Sequence, residues 1–198
     1  MKNSIIVIDD FCPQIEEVRK SAFESGFGTW KPNKGEVGSS NYDGMNFWGL
    51  HSHMLRSLHV IFGRPVLPNN TFFRITTPDT ERAYIHSDRS WGTHTCVAYL
   101  SDHKEDVSGT GFYRHKATGL LYMPTFDEMK EGGLFEQLKA DMVTGDDKDW
   151  EQTDFVRGIY NRALIFDAPL FHSRFPKHGI GTDDETGRLV WVSHFCLG

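Results

Sequence analysis

Cysteine is scarce in this sequence. Three residues of 198, Cys12, Cys96 and Cys196, stand far apart, too few and too scattered for a disulfide framework or a cysteine-based zinc site. Long apolar runs are missing as well. No stretch approaches the ~20 apolar residues of a membrane span. The opening MKNSIIVIDDF has four apolar residues in a row and then two aspartates, which is no signal peptide. There is no basic excess either: the formal charge is −6, and nothing in that balance favours nucleic acid or an anionic membrane as partner. Internal repeats and low-complexity segments are absent. Together these absences predict a reduced, soluble, cytoplasmic protein.

What is abundant points to β structure. Aromatic residues make up 13%, with 15 Phe, and the 19 Gly exceed the usual share. Many aromatics with many turn glycines suit a β-rich domain better than a helical bundle. The length suits one domain, 1–198. Ile5 to Ile8 reads as a buried strand. In DFCPQIEEVRKSAFESGFG, Pro13 suits a helix start, Ile15, Val18 and Ala22 share a helical face, and Gly26 and Gly28 mark the stop. Residues 29–49 have no helical or strand period and read as a long loop carrying Tyr42, Phe47 and Trp48, a kind of segment that is often functional. A second helix is predicted at 50–62 from Leu55, Leu58 and Phe62, with Gly63 behind it.

From Asn70 onward, short aromatic and β-branched runs alternate with turn residues: TFFRITT, the segment around His86, HTCVAYLSD, TGFYRH, ALIFDAPLFHS and RLVWVSHF. A partly helical insertion at about 115–157 interrupts them. Thr125 and Glu128 have capping-box spacing, and Phe135, Leu138 and Met142 share a face, weakened by the glycines at 132 and 133. Residues 145–154 read as exposed loop. The predicted fold is mainly β with flanking helices: a double-stranded β-helix (jelly roll) with the N-terminal helices packed on one sheet.

The chemistry-bearing stretch is YIHSDRS. On a strand, i and i+2 share a face, so His86 and Asp88 project together. A run ending in His172 would supply a second imidazole. Two histidines and one carboxylate form the facial triad that holds non-haem Fe(II) with positions left open. Sixteen residues later, Arg188 opens the strand RLVW, and a buried arginine there calls for an anionic partner such as a dicarboxylate. Arg174, two residues from His172, is the rival, although Phe175–Pro176 suggests the strand is ending.

HSD, VAYLSD, GTGF, NRALIFDAPLFHS and GRLVW, in that order, resemble the Fe(II)/2-oxoglutarate-dependent dioxygenases, in particular their prolyl-hydroxylase-like branch. The resemblance implies His86, Asp88 and His172 as catalytic iron ligands and Arg188 as the partner of the distal carboxylate of 2-oxoglutarate. It implies Tyr99 as a hydrogen-bond donor to that same carboxylate. Fe(II), 2-oxoglutarate and O₂ would then be the cofactor and co-substrates, succinate and CO₂ the co-products, and hydroxylation of an unactivated C–H bond the reaction. An Asp at position 88, where related halogenases have a small residue, favours hydroxylation. The sequence departs from the family at Thr110, where a second glycine usually stands, and at Thr76, the nearest position to an expected tyrosine.

Other functions fit parts of the pattern. A cupin-like metal protein could use the same triad without 2-oxoglutarate, and a non-catalytic β-sandwich could present the aromatic loop to a partner. His51 and His53 read as solvated, and His94, His103, His115 and His178 as exposed. His194 shares the face of Arg188, as a site group or as a core histidine. Trp91 would line the substrate mouth or pack beside it. Peptidyl residue, amino acid and small metabolite all remain open as substrate.

Overall fold

The computed structural model describes residues 4–24, 27, 29–30, 38–41, 48–77, 85–101, 108–132, 135–144, 147–177, 179–183 and 185–198. Tyr42, Phe47, Tyr84, His103 and His178 lie outside the described residues. The chain runs β1 (Ile5–Ile8), α1 (Ile15–Glu24), β2 (Thr29–Trp30), β3 (Gly38–Asn41), α2 (Trp48–Phe62), β4 (Val66–Thr76) and β5 (His94–Tyr99). It continues with β6 (Gly109–His115), α3 (Phe126–Gly132), α4 (Phe135–Thr144), β7 (Trp150–Arg157), β8 (Ala163–Asp167), β9 (His172–Phe175) and β10 (Arg188–Leu197). All strand pairs are antiparallel, in a seven-stranded sheet ordered β1-β8-β5-β10-β4-β3-β2 and a three-stranded sheet ordered β7-β6-β9.

The period-2 alternation of β10 organises the molecule. Leu189, Trp191 and Phe195 belong to one apolar cluster with Phe73 and Ile75 of β4, Cys96 and Ala98 of β5, and Ile165 of β8. Ile15, Val18 and Ala22 of α1 and Met54 and Leu58 of α2 also belong to it. On the other face, Val190 and Val192 join Phe72, Val97, Leu164 and Phe166, and Phe112 of the smaller sheet reaches across to them. The strands therefore bury two faces at once, one under helices and one between sheets.

Several sequence expectations change. β1 is not buried: Ile5, Ile6 and Val7 are 37–44% exposed, because among the described residues β1 forms the edge of the larger sheet and pairs with β8 alone. The expected loop at 29–49 contains β2 and β3, which extend the opposite edge beyond β4, and the second helix starts earlier, at Trp48. The expected loop at 145–154 gives way to β7 from Trp150 onward. Trp150 is buried and packs on Phe171, an anchor stronger than the charged residues around it.

The insertion holds two helices rather than one, α3 ending at Gly132 and α4 beginning at Phe135. The capping box is present, with Glu128 N donating to Thr125 Oγ1 at 3.3 Å and Thr125 N donating to Glu128 Oε2 at 2.6 Å. His115, expected to be exposed, is fully buried beside Trp150, between Thr118 Oγ1 (2.9 Å) and Asp141 Oδ2 (3.0 Å), and ties the insertion to β6. His51 is likewise buried, not solvated. Its Nδ1 accepts from Trp191 Nε1 at 3.0 Å, its ring stacks on Phe73, and burial pushes its pKa down to about 4.

Candidate metal centre

His86 forms an isolated bridge outside the named strands. Its backbone exchanges both hydrogen bonds with His172 at the start of β9 (His86 N to His172 O 3.0 Å, His172 N to His86 O 2.9 Å), an isolated bridge that brings the two imidazoles to a ring separation of 4.4 Å. Two residues on, Asp88 N donates to Ala168 O, which fixes the turn that aims the carboxylate back at both rings. One ligand atom from each of His86, Asp88 and His172 lies within 4.8 Å of the others. His86 Nε2 stands 3.6 Å from Asp88 Oδ1, and His172 Nε2 stands 3.3 Å from Asp88 Oδ2.

The surrounding groups hold these side chains for ligation. His172 Nδ1 donates to Leu170 O at 3.0 Å, so in the neutral ring the lone pair sits on Nε2, toward Asp88. Asp88 Oδ2 accepts from Thr95 Oγ1 at 2.9 Å and from His194 Nε2 at 3.3 Å. Burial alone would raise the Asp88 pKa. The His172 ring, its hydrogen bond and that of His194 outweigh burial and hold the carboxyl well below its usual range. Burial opposes protonation of His172, but Asp88 and the Leu170 carbonyl raise its pKa. The donor set of two imidazoles and one carboxylate, with one face left open, fits a divalent first-row metal such as Fe(II).

The triad opens on a cavity of about 460 Å³ between the sheets. Arg188, Val190, Val192 and His194 of β10 line it, as do Phe72, Arg74 and Thr76 of β4. Arg188 is 6% exposed. Its guanidinium lies over the Tyr99 ring at 5.4 Å, and Nη2 donates to Gly109 O at 3.3 Å. Burial lowers its pKa, partly offset by Tyr99. Arg188 Nε, Thr76 Oγ1 and Ser173 Oγ are among the described buried polar atoms without a hydrogen-bond partner. All three residues line the cavity, and such orphaned donors and acceptors fit a polar ligand with carboxylate oxygens.

Tyr99 is buried behind Arg188, with its hydroxyl 2.8 Å from Thr110 Oγ1. Thr110 itself lines the cavity. β9 continues through Phe175, so Arg174 also reaches the cavity from the smaller sheet. Burial and the like charge of Arg188 bring the Arg174 pKa down to about 10. Sequence reasoning missed Arg74, although Phe72, Arg74 and Thr76 in TFFRITT alternate with Phe73 and Ile75 of the opposite face. It left His194 undecided, and Thr95 carried no signal of its own. Trp91 lines the cavity at 52% exposure and stacks on His194. No helix among the described residues is long and apolar enough to cross a membrane.

The fold is similar to that of several solved structures. The non-heme alpha-ketoglutarate-dependent epimerase SnoN from nogalamycin biosynthesis is 13% identical with a TM-score of 0.59, over 98% of this chain and 79% of that one. The carbocyclase SnoK from the same biosynthesis is 12% identical with a TM-score of 0.58, over 98% and 80%. HygX from Streptomyces hygroscopicus, solved with nickel, 2-oxoglutarate and hygromycin B bound, is 13% identical with a TM-score of 0.59, over 97% and 83%. At such identities the likeness is one of fold. No curated protein matches the chain. The family described as "Family of unknown function (DUF6445)" matches residues 1–195, and with nearly its whole length covered the chain belongs to that family.

Proposed function

We propose that the protein is a cytoplasmic Fe(II)- and 2-oxoglutarate-dependent oxygenase of the prolyl-hydroxylase-like branch, one double-stranded β-helix domain that hydroxylates an unactivated C–H bond of a small molecule or peptide. The observation that carries this reading is that one and the same cavity has the His86–Asp88–His172 cluster on its wall and a buried arginine, Arg188, with an orphaned Nε. The two facing antiparallel sheets support the jelly-roll reading, and the motif order from His86 to Arg188 supports the branch.

Fe(II) with 2-oxoglutarate and O₂, when bound, would supply the oxidising power for C–H cleavage, with succinate and CO₂ as co-products. The chain's own residues do the rest. His86, Asp88 and His172 would fill one face of the metal and leave the cavity side for exchangeable ligands. Thr95 and His194 hold Asp88 in one orientation, and Leu170 O holds the His172 ring. Arg188 would take the distal carboxylate in bidentate fashion. Tyr99 would serve that contact by carrying the guanidinium on its ring face, and its hydroxyl would turn from Thr110 to the same carboxylate. Phe72, Val97, Val190 and Val192 keep the cavity wall apolar.

Anaerobic Fe(II) plus 2-oxoglutarate should give a weak visible charge-transfer band that is absent in His86→Ala and His172→Ala. Arg188→Ala should lose 2-oxoglutarate binding and keep the metal. A wild-type protein with no band, and no succinate from any substrate panel, sinks the proposal. Retained 2-oxoglutarate binding in Arg188→Ala transfers the anchor to another residue. A product gaining one oxygen atom supports hydroxylation, whereas a product isomeric with its substrate overturns that part.

A further inference from the structure

Alternate residues of β10 face the cavity, which makes this strand a ruler along it. Arg188, Val190, Val192 and His194 all line the cavity, and from the first to the last the strand rises about 20 Å. The character of the wall changes over that length. Arg188 stands opposite Thr76 of β4 at one end, and Val192 stands opposite Phe72 further along. At the other end His194 lies between Asn70 of β4 and Thr95 of β5. Arg188 is buried, whereas Trp91, which stacks on the His194 ring, is half-exposed. The arginine end is thus the deep end of the cavity, and the Trp91 end is the open one.

The open end carries a polar atom that nothing in the chain satisfies. His194 Nε2 stands 3.3 Å from Asp88 Oδ2 and donates to it. In the neutral ring this leaves Nδ1 as an acceptor, and Nδ1 is buried without a hydrogen-bond partner. A buried acceptor of this kind is costly until a donor meets it. Thr95 does not supply that donor, because its one hydroxyl proton goes to Asp88. Beside this atom the Trp91 backbone is pinned at both ends: its N–H donates to Asp88 O at 2.8 Å, and its carbonyl accepts from Asn69 Nδ2 at 2.8 Å. The next residue, Gly92, lies so close to β10 that a Cβ there would fall 2.7 Å from Phe195 O. A fixed, half-exposed indole next to an orphaned acceptor offers one apolar face and one polar contact.

We propose that His194 and Trp91 select the primary substrate: His194 Nδ1 accepts from a neutral hydroxyl or amide N–H of the substrate, and a ring of the substrate packs on the indole. Asn70, His194 and Thr95 bring no fixed charge to this end, so the group recognised here is an uncharged one. The placing of the primary substrate at the open end rests on the oxygenase reading, in which the co-substrate runs from the metal to Arg188 and fills the deep end. One imidazole then serves two partners, with Nε2 orienting Asp88 and Nδ1 holding the substrate.

The test uses ring probes and needs no turnover. Anaerobic protein saturated with Mn(II) and 2-oxoglutarate is titrated with cyclohexanol, N-cyclohexylacetamide and methoxycyclohexane, and binding is read by saturation-transfer NMR. The three share a ring and differ in the donor, which the ether lacks. At least one donor probe should bind about 10-fold more tightly than the ether, the scale of one hydrogen bond to a buried acceptor. The tighter of the two donor probes separates hydroxyl from amide. His194→Leu should abolish the preference over the ether. His194→Gln, whose amide keeps a donor for Asp88 and an acceptor beside it, should hold it within about 3-fold of wild type. Trp91→Ala, at the rim, should weaken all three probes by about 5-fold and leave the preference intact. The inference is overturned if no probe binds saturably or if the ether binds as tightly as both donors. Survival of the preference in His194→Leu, or unchanged binding of all probes in Trp91→Ala, overturns it as well. Arg188→Met should lose 2-oxoglutarate and keep the preference. If wild type fails to bind 2-oxoglutarate, the oxygenase reading falls by itself, and the same titration without 2-oxoglutarate still decides the His194 site: a preference lost in His194→Leu supports it, and no preference removes it.

Discussion

The two faces of the larger sheet share their strands and little else. Under the helices, β4, β5 and β10 present Phe73, Ile75, Cys96, Ala98, Leu189, Trp191 and Phe195, a dry layer with one buried histidine, His51. Toward the smaller sheet the same strands present Arg74, Thr76, Thr95, Arg188 and His194. Both faces bury an imidazole. His51 meets an indole N–H and two aromatic rings, so burial keeps it neutral far into acid. His172 meets a carboxylate, and its pKa moves the other way. Depth is comparable on the two sides, so the partner decides the proton. Stability and the proposed chemistry thus fall on alternate residues of single strands.

Substitutions on each side should therefore separate the two properties. The largest effect is expected on the cavity side: Asp88→Ala and His172→Ala should weaken metal affinity by about 1000-fold or more, since each would remove one of the three proposed ligands. Metal titration followed by mass spectrometry under native conditions would read this, and metal binding at wild-type strength in either variant would remove that residue from the proposed ligand set. Next, Trp191→Ala should cost about 3–5 kcal/mol of stability in urea by emptying the fully buried indole site. A loss below about 1 kcal/mol would show that the dry face is not where the stability resides.

A third prediction concerns acid. The His51 pKa is lowered from 6.5 to about 4 in the folded chain. Between these values the unfolded state binds more protons, so this histidine makes stability fall as pH drops through that window. The drop is on the order of 3 kcal/mol. His51→Leu should flatten the dependence of urea midpoint on pH in that window while lowering stability at neutral pH, because Trp191 Nε1 loses its acceptor. An unchanged slope would exclude His51 as the source. The smallest effects are expected from groups that orient a ligand: His194→Gln and Thr95→Val should each weaken metal binding by about 10-fold, with little change in urea midpoint. The reverse pattern would make both residues structural.

Legibility in the sequence followed the same division. The helix-covered face could be read from period, because Ile15, Val18 and Ala22, and the odd positions of β10, repeat at the spacing that burial requires. His86, Asp88, His172 and Arg188 could be picked out because unusual residue types sat on strand-like runs. What escaped depended on pairing. Thr95 becomes a partner of Asp88 only through a turn of the chain between residues 88 and 95. Arg74 faces the cavity only because β4 pairs with β10 in one register of two possible faces. β7 escaped because its exposed, charged residues hide a strand held by Trp150 and the β6 ladder. His51 escaped because an amphipathic helix pattern does not reveal which polar residue has a hydrogen-bond partner in the sheet below.

The reciprocal backbone bridge between His86 and His172 has a consequence for the order of assembly. These two residues are separated by the strands β5 through β8, so the bridge closes a long loop and cannot form from local contacts. A nascent chain offers a metal His86 and Asp88 early, an incomplete pair with little hold on it. The full cluster exists only once β9 has docked in the finished two-sheet frame. A metal held by all three residues would therefore load only after the two sheets have come together.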